Sequence, residues 1–239
     1  MISPFDKMKP FSFDRNPAMN IEQARKNMIE QQIRTWDVLD KDVLQTLLTV
    51  RREAFVPAAY QNLAFIDTEI PLPGGENMLS PKLEARLLQE AGIHKEDRVL
   101  EIGSGSGYMA ALLAQHARQV VSVEIAPELK ALAEKNLADY GIQNVSVELG
   151  DGAHGWQGSG KQAEAFDVIM LSGAVPVLPQ SLLMQLAIGG RLLAVVGEAP
   201  VMSACIVTRT AFDAWDTRKL FETCITLLHH VDQPSAFHF

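Results

Sequence analysis

The chain has 239 residues, 47% of them hydrophobic and 21% charged, a balance typical of a globular protein long enough to bury a sizeable core. Its formal net charge of −8 argues against non-specific binding to nucleic acid or to anionic membranes. No apolar run reaches the roughly 18 residues that span a bilayer, and residues 1–17 lack the apolar stretch of a signal peptide, so we expect a cytoplasmic protein.

The N-terminal region is predicted to contain two helices behind a flexible arm. Residues 1–18 mix proline, phenylalanine and charged residues without periodicity, so we expect the arm there. Apolar residues at helical spacing predict one helix over 21–34 and a second over 40–50. Asp40 is the expected N-cap of the second helix, because its carboxylate can accept from free backbone N–H groups.

Prolines and glycines predict an irregular connection before the third helix. Residues 51–75 contain three prolines and end in a glycine pair, which favours a structured connection over a regular element. Ser80 and Pro81 then open a helix predicted over 82–91, because serine suits the N-cap and proline the first helical position.

From residue 98 onward, predicted strands and helices alternate. The strands cover 98–102, 119–124, 145–149, 166–171, 191–196, 203–208 and 218–226, and the helices cover 108–116, 127–140 and 178–186. This order predicts an α/β fold with a doubly wound, mostly parallel seven-stranded sheet, an antiparallel C-terminal edge and an N-terminal helical extension. The two cysteines, Cys205 and Cys224, lie far apart without metal-ligand neighbours, which predicts buried free thiols in strands.

The most informative stretch is the run RVLEIGSGSG at residues 98–107. An apolar strand leads into Gly103, Gly105 and Gly107, whose missing side chains let the backbone turn sharply and approach a bound molecule. The helix that follows offers free N–H groups at its start. The spacing G-x-G-x-G differs from the G-x-G-x-x-G of dinucleotide sites. The run therefore predicts a nucleotide-like cofactor other than a dinucleotide.

Two acidic residues narrow the choice of cofactor. Glu101, at the carboxyl end of the first strand, would repel a pyrophosphate but suits a cationic amino-acid head group such as that of S-adenosylmethionine. Glu124 ends the next strand, where a carboxylate can accept hydrogen bonds from both ribose hydroxyls. The alternative is a strand-to-helix turn that binds no ligand.

These motifs resemble those of the class I S-adenosylmethionine-dependent methyltransferases. The resemblance rests on residues 99–108, Glu124, 150–152, 166–169 and 189–192. Upstream, residues 51–57, Tyr60, residues 63–65 and the 71–81 loop resemble the protein-L-isoaspartate O-methyltransferase family, as does the order of elements from about 21 to 226. The resemblance implies a substrate-loop region over 19–96, a cofactor-binding core over 97–239, and methylation of L-isoaspartyl residues in damaged proteins or peptides.

The resemblance also implies a cofactor site. The residues expected to bind S-adenosylmethionine are Met78, Leu79, Glu101, Gly103, Ser104, Gly105, Gly107, Glu124, Ile125, Asp151 and Gly152. Asp151 would accept from the adenine amino group, or is only a turn residue. No metal site is expected, because the adjacent His229 and His230 would point to opposite faces of an extended strand.

Ser80 is the candidate catalytic residue. Family loops end in Gln-Thr-Ile-Ser-Gln-Pro, with the serine beside the methyl acceptor, and residues 76–82 here read ENMLSPK. Ser80 matches the serine, Met78 replaces the threonine, and one residue before the proline is missing. Ser80 would donate a hydrogen bond that orients the acceptor carboxylate, or would only cap the helix. A carboxylate acceptor, with a pKa of about 4, needs no general base.

Other roles and functions stay open at this point. Trp156 would either cover the adenine or belong to the core. His154 would either act as a base, if the acceptor were a hydroxyl or an amine, or be a surface residue. A methyltransferase of the same fold could act on a small molecule, and a cofactor-binding module could have lost catalysis. We expect no nucleic-acid or membrane partner, and the sequence predicts no oligomeric state.

Overall fold

The computed structural model of the chain describes residues 17–157 and 165–233. The arm predicted over 1–18 lies outside these residues, apart from its last two positions. The first helix, α1 (Pro17–Asn27), continues as a π-helical turn and a 3-10 turn that end at Trp36. The sequence predicts one regular helix over 21–34. The wider π turn breaks that regularity, and Asp37, at a left-handed φ of 60°, ends the helical run.

The second and third helices begin where the sequence predicts. In α2 (Lys41–Thr49), the Asp40 carboxylate accepts from the backbone N–H groups of Asp42 and Val43 at 2.8 and 3.1 Å, which confirms the N-cap. The third helix, α3 (Pro81–Ala91), starts after Ser80, whose hydroxyl makes no capping hydrogen bond within the described residues.

The connection between α2 and α3 contains more structure than predicted. Besides three 3-10 turns, a two-stranded antiparallel ribbon pairs β1 (Ile70–Pro71) with β2 (Asn77–Met78). Gly74 and Gly75 reverse the chain between the two strands at φ values of 77° and 85°, which other residues rarely adopt. The ribbon presents Met78 and the residues after it to the end of the main sheet.

The remaining elements confirm the predicted α/β fold. The strands are β3 (Arg98–Ile102), β4 (Gln119–Glu124), β5 (Val145–Leu149), β6 (Phe166–Val175), β7 (Leu186–Glu198), β8 (Val201–Ala211) and β9 (Ala214–Glu222). The helices are α4 (Tyr108–Ala114), α5 (Pro127–Tyr140) and α6 (Gln180–Met184). The sheet order is β5-β4-β3-β6-β7-β8-β9, parallel up to β7 and antiparallel for β8 and β9.

The C-terminal elements differ most from their predicted bounds. The glycine pair at 189–190 lies inside β7 rather than before it, because β7 begins its pairing at Phe166 and Leu186 with a register shift. Helix α6 is correspondingly shorter than the predicted 178–186. Strand β9 starts at Ala214 because a two-residue turn joins it directly to β8 as a hairpin.

Apolar side chains pack on both faces of the sheet. Neighbouring residues of β3, Val99 and Leu100, belong to different clusters, because strand side chains alternate between faces. The first cluster, which contains Val99, also includes side chains of the N-terminal helices, and the second cluster contains Leu100. Cys205 is buried in β8 as predicted, whereas Cys224 is exposed and lies beyond β9, because the strand ends at Glu222. No helix within 17–157 or 165–233 has the length and apolar character needed to cross a membrane.

Candidate active site

The site lies where the strand order reverses, between β3 and β6. In open α/β sheets this reversal leaves a crevice outside the carboxyl ends of the strands, and a cleft with an empty volume of about 810 Å³, part of it open to solvent, lies there. Predicted cofactor residues that line it are Leu79, Gly103, Gly105, Glu124, Ile125, Asp151 and Gly152. Met78, Glu101 and Ser104 line a smaller adjoining cavity of about 270 Å³, which also borders Leu79, Gly103 and Gly105.

The glycine loop after β3 requires its glycines. Gly103, Gly105 and Gly107 have φ values of 94°, 51° and 83°. A Cβ on Gly107 would lie 3.2 Å from the backbone of Ala133, so Gly107 also permits the packing of α4 against α5. Gly107 does not border either cavity within the described residues, so its place is at the start of α4 rather than in the cleft wall.

Glu124 fixes the glycine loop from the end of β4. Its side chain is 4% exposed, and its two carboxylate oxygens accept from the backbone N–H groups of Gly105 and Ala126 at 2.9 and 3.0 Å. Each oxygen retains a lone pair, and the residue borders the cleft. Glu124 can therefore hold the loop and accept hydrogen bonds from a ligand at the same time.

Glu101 lies deeper, beneath the loop. It is fully buried and accepts from the hydroxyls of Ser122 and Ser172 at 2.5 and 2.9 Å. The hydroxyl of Ser104 lies 2.6 Å from that of Ser122 and extends the network. Burial raises the pKa of the Glu101 carboxyl to about 8, although the two hydrogen bonds oppose the shift.

Asp151 borders the cleft from the loop after β5, and two contacts hold its side chain. Its Oδ1 accepts from the backbone N–H of Ala153 at 3.0 Å, and its Oδ2 lies 2.7 Å from Nδ1 of His230. Partial burial raises the pKa of Asp151, but the contacts with Ala153 and His230 outweigh this effect and the net pKa is lowered. Asp151 therefore presents an ionised carboxylate at the cleft.

The C-terminal segment over 226–230 closes one side of the cleft, which the sequence does not predict. The segment is bonded to β6 through the N–H of Ala174 to Thr226 and the N–H of Leu228 to Ala174, both at 2.8 Å. Nε2 of His229 lies 2.7 Å from Oε1 of Glu76. The two adjacent histidines therefore contact different partners, because His230 contacts Asp151. The histidine doublet is the feature of the sequence that could have indicated this wall of the cleft.

A buried ion pair that the sequence analysis missed lies under the smaller cavity. Arg52 and Glu84 are both buried and paired, and Arg52 donates a second hydrogen bond to the Leu79 carbonyl at 2.7 Å. Burial raises the pKa of Glu84 to about 7, with Arg52 opposing the shift. Tyr108 borders this cavity, and its buried hydroxyl has no hydrogen-bond partner among the described residues. Through its contacts with Glu84 and with the Leu79 carbonyl, Arg52 connects the loop before α3 to the core.

Leu79 and Ser80 border different cavities. Leu79 lines the cleft, whereas Ser80 lines a second opening of about 1,080 Å³, which we call the side groove. The groove is bordered by Trp36, residues 67–69, Ser80, residues 82–83, Arg86 and residues 221–225. Glu69 borders both the cleft and the groove and therefore lies between the two spaces.

The remaining sequence candidates, Trp156 and His154, border neither the cleft nor the smaller cavity. Trp156 is partly buried against the second apolar cluster and against Gly150, and its Nε1 has no partner in the parts of the chain that the structure describes. His154 is exposed, with Nδ1 at 3.7 Å from Oδ2 of Asp232. Within 17–157 and 165–233, no group of three or more His, Cys, Asp or Glu side chains could hold a metal ion.

A doubly wound sheet with a glycine loop, and with acids at adjacent strand ends, defines the chain as a cofactor-binding α/β protein. Residues 23–222 match the family model for Protein-L-isoaspartate(D-aspartate) O-methyltransferase (PCMT). The chain belongs to this family, which confirms the resemblance seen in the sequence.

Curated relatives and a solved structure agree with this assignment. The chain is 41% identical over 187 residues to the protein-L-isoaspartate O-methyltransferase of Koribacter versatilis (strain Ellin345), covering 78% of this chain and 82% of that protein. It is 39% identical over 197 residues to protein-L-isoaspartate O-methyltransferase 1 of Rhodopseudomonas palustris (strain HaA2), covering 82% and 79%. The Plasmodium falciparum PCMT in complex with S-adenosyl-L-homocysteine shares the fold, with a TM-score of 0.72, 21% identity and coverage of 87% and 97%.

Proposed function

We propose that this protein uses S-adenosylmethionine to methylate the free carboxylate of L-isoaspartyl residues in damaged proteins and peptides. The observation that carries the proposal is a cleft at the strand-order reversal with a second groove beside it, both bordered by Glu69. Such an arrangement offers the methyl donor a site in the cleft and a polypeptide acceptor a neighbouring surface. The family match over residues 23–222 supports this function over a small-molecule methyltransferase or an inactive module.

The residues present fit the cofactor. Gly103 borders the cleft at a φ of 94°, where other residues are strained, and a Cβ there would occupy the space between Leu228 and Ser172 at ordinary contact distances of 3.4 and 3.6 Å. Glu124 would accept from the ribose hydroxyls through the lone pairs that its backbone contacts leave free. Asp151 would accept from the adenine amino group, and Glu101 would face the amino-acid end.

The protein's contribution to catalysis is position and exclusion of water. When bound, S-adenosylmethionine supplies a methyl group on a positively charged sulfur. Leu79 gives the cleft an apolar wall, and Ser80 places a hydroxyl on the groove side, where it would donate to the acceptor carboxylate. The carboxylate is ionised at neutral pH, so no residue has to remove a proton.

The test is transfer of labelled methyl groups to an L-isoaspartyl peptide and to its aspartyl isomer. We expect transfer to the isoaspartyl peptide alone. Binding of S-adenosylhomocysteine, measured by calorimetry, shows separately whether the cleft is competent. A protein that binds S-adenosylhomocysteine but methylates neither peptide would exclude the proposed function.

A further inference from the structure

Both cations that border the side groove are already paired within the protein. Nζ of Lys82 lies 2.8 Å from Oδ2 of Asp67 and 3.8 Å from the centre of the Trp36 ring. Arg86 donates to the Trp36 carbonyl at 2.7 Å and lies 3.5 Å from the carboxylate of Glu90. These charges are therefore offset by partners on neighbouring elements.

Two acids of the groove have no such partner. The side chains of Glu69 and Glu222 make no ion pair or hydrogen bond within residues 17–157 and 165–233. Glu69 is partly buried, and burial raises its pKa. The groove therefore presents uncompensated negative charge, and part of that charge lies in a region of restricted hydration.

The position of Glu69 connects this charge with the acceptor. Glu69 borders both spaces, and Leu79 and Ser80 separate them along the adjacent loop. A polypeptide whose carboxylate reaches the cleft from the groove must place its neighbouring residues beside Glu69. A cationic side chain there would gain an ion pair, whereas an acidic one would meet a like charge.

We propose that the side groove binds the residues flanking the isoaspartate and that Glu69, supported by Glu222, selects a cationic residue next to it. This inference rests on the proposed function and adds a substrate class to it. Glu69 is a specificity-determining residue here. The preference must weaken with salt, because exposed and partly exposed charge interactions are screened.

The experiment uses isoaspartyl peptides that differ only in the flanking residue, which is lysine, alanine or glutamate on either side. Affinity for the protein saturated with S-adenosylhomocysteine is measured by calorimetry, and kcat/KM is measured by methyl transfer. We expect the lysine peptide to exceed the glutamate peptide about tenfold in both, a total difference of about 1.4 kcal/mol between an attractive and a repulsive interaction.

Four variants assign the preference. Glu69→Gln should bring the two peptides to within about twofold, and Glu69→Lys should reverse their order. Glu222→Gln should reduce the ratio to a smaller extent. Glu96→Gln, which removes the same charge at an exposed position outside both cavities, is the matched control and should leave the ratio unchanged.

The outcomes separate the two proposals. Equal affinities in the parent protein, or a lysine preference that survives in both Glu69 variants, would overturn charge selection at Glu69. If Glu69→Gln does not fold, as judged by thermal unfolding, the peptide ratio in Glu69→Lys and Glu222→Gln decides. A lysine preference in calorimetry that depends on Glu69, without methyl transfer to any peptide, would support charge selection while excluding the proposed activity.

Discussion

Nδ1 of His230 lies 2.7 Å from Oδ2 of Asp151, and this contact joins the C-terminal segment to the loop after β5. His230 adopts a left-handed φ of 56°, unusual for a residue with a side chain. His229, its neighbour, contacts Glu76 on the opposite side of the cleft. The doublet therefore holds together two loops that border the candidate cofactor site.

His230→Ala should weaken S-adenosylhomocysteine binding by about three- to tenfold, because Asp151 would lose one of its two contacts, each worth about 1 kcal/mol. Asp151→Ala should weaken binding more and should also lower thermal stability modestly, because both contacts are lost. Calorimetry measures both, and His94→Ala, exposed and outside both cavities, is the control. Unchanged affinity in the His230 and Asp151 variants would reduce Asp151 to a turn residue.

Glu124→Ala should lower cofactor affinity about ten- to hundredfold, because charge-assisted hydrogen bonds contribute about 1.5–3 kcal/mol. It should also destabilise the protein, because the N–H groups of Gly105 and Ala126 lose their acceptor. Glu124→Gln, with a similar shape and no charge, should lie between the parent protein and Glu124→Ala in both cofactor affinity and stability. Calorimetry with S-adenosylhomocysteine and urea unfolding measure the two effects, and parental affinity in Glu124→Ala would show the ribose assignment to be wrong.

Ser80→Ala should lower the turnover of isoaspartyl peptide by about tenfold or more while cofactor affinity stays the same. Its unfolding free energy should change by less than about 0.5 kcal/mol, because the hydroxyl makes no capping bond among the described residues, whereas loss of a true cap costs about 1 kcal/mol. Single-turnover kinetics and urea unfolding provide the readouts. Full turnover combined with a loss of stability would identify Ser80 as a helix cap instead.

The free energy of unfolding should fall between about pH 4.5 and pH 8 in the ligand-free protein. The pKa of Glu101 is about 8 in the folded state against 4.5 as the ordinary value, so the folded state binds more protons across this range. Glu101→Gln should flatten the decline by on the order of a few kcal/mol, and Glu84, with a raised pKa of about 7, should contribute to the decline in the same direction. Urea unfolding at pH 5, 6.5 and 8 measures the slope, and equal slopes in parent and Glu101→Gln would contradict the assignment.

Glu84→Ala should destabilise the fold by about 3–5 kcal/mol, because it leaves the Arg52 guanidinium buried without its counter-charge. A double substitution, Arg52→Met with Glu84→Leu, should cost less than the single change, since it removes both charges. Urea unfolding of the three proteins tests this. A double variant less stable than Glu84→Ala would show that the Arg52 contact with the Leu79 carbonyl contributes more than the ion pair.

Local chemistry made the glycine loop after β3 predictable. A run of apolar residues ending in three alternating glycines specifies a strand and a tight turn whatever surrounds it, and the structure places this run at the strand-order reversal. The same is true of Asp40, whose cap depends on residues two and three positions ahead. The strand-end position of Glu124 likewise follows from the chain immediately around it.

Only the tertiary structure decided which distant groups meet. His230 and Asp151 are 79 residues apart, Arg52 and Glu84 are 32 apart, and their pairing depends on strand order and helix packing that no local pattern encodes. Leu79 and Ser80 were both candidates for the site, but which of the two bordered the cleft depended on where the β1–β2 ribbon docks. The sequence thus determined the loop and the acids at the strand ends through short-range backbone geometry. Long-range packing decided the C-terminal wall, the buried ion pair and the groove, because burial and electrostatics act between groups that only folding brings together.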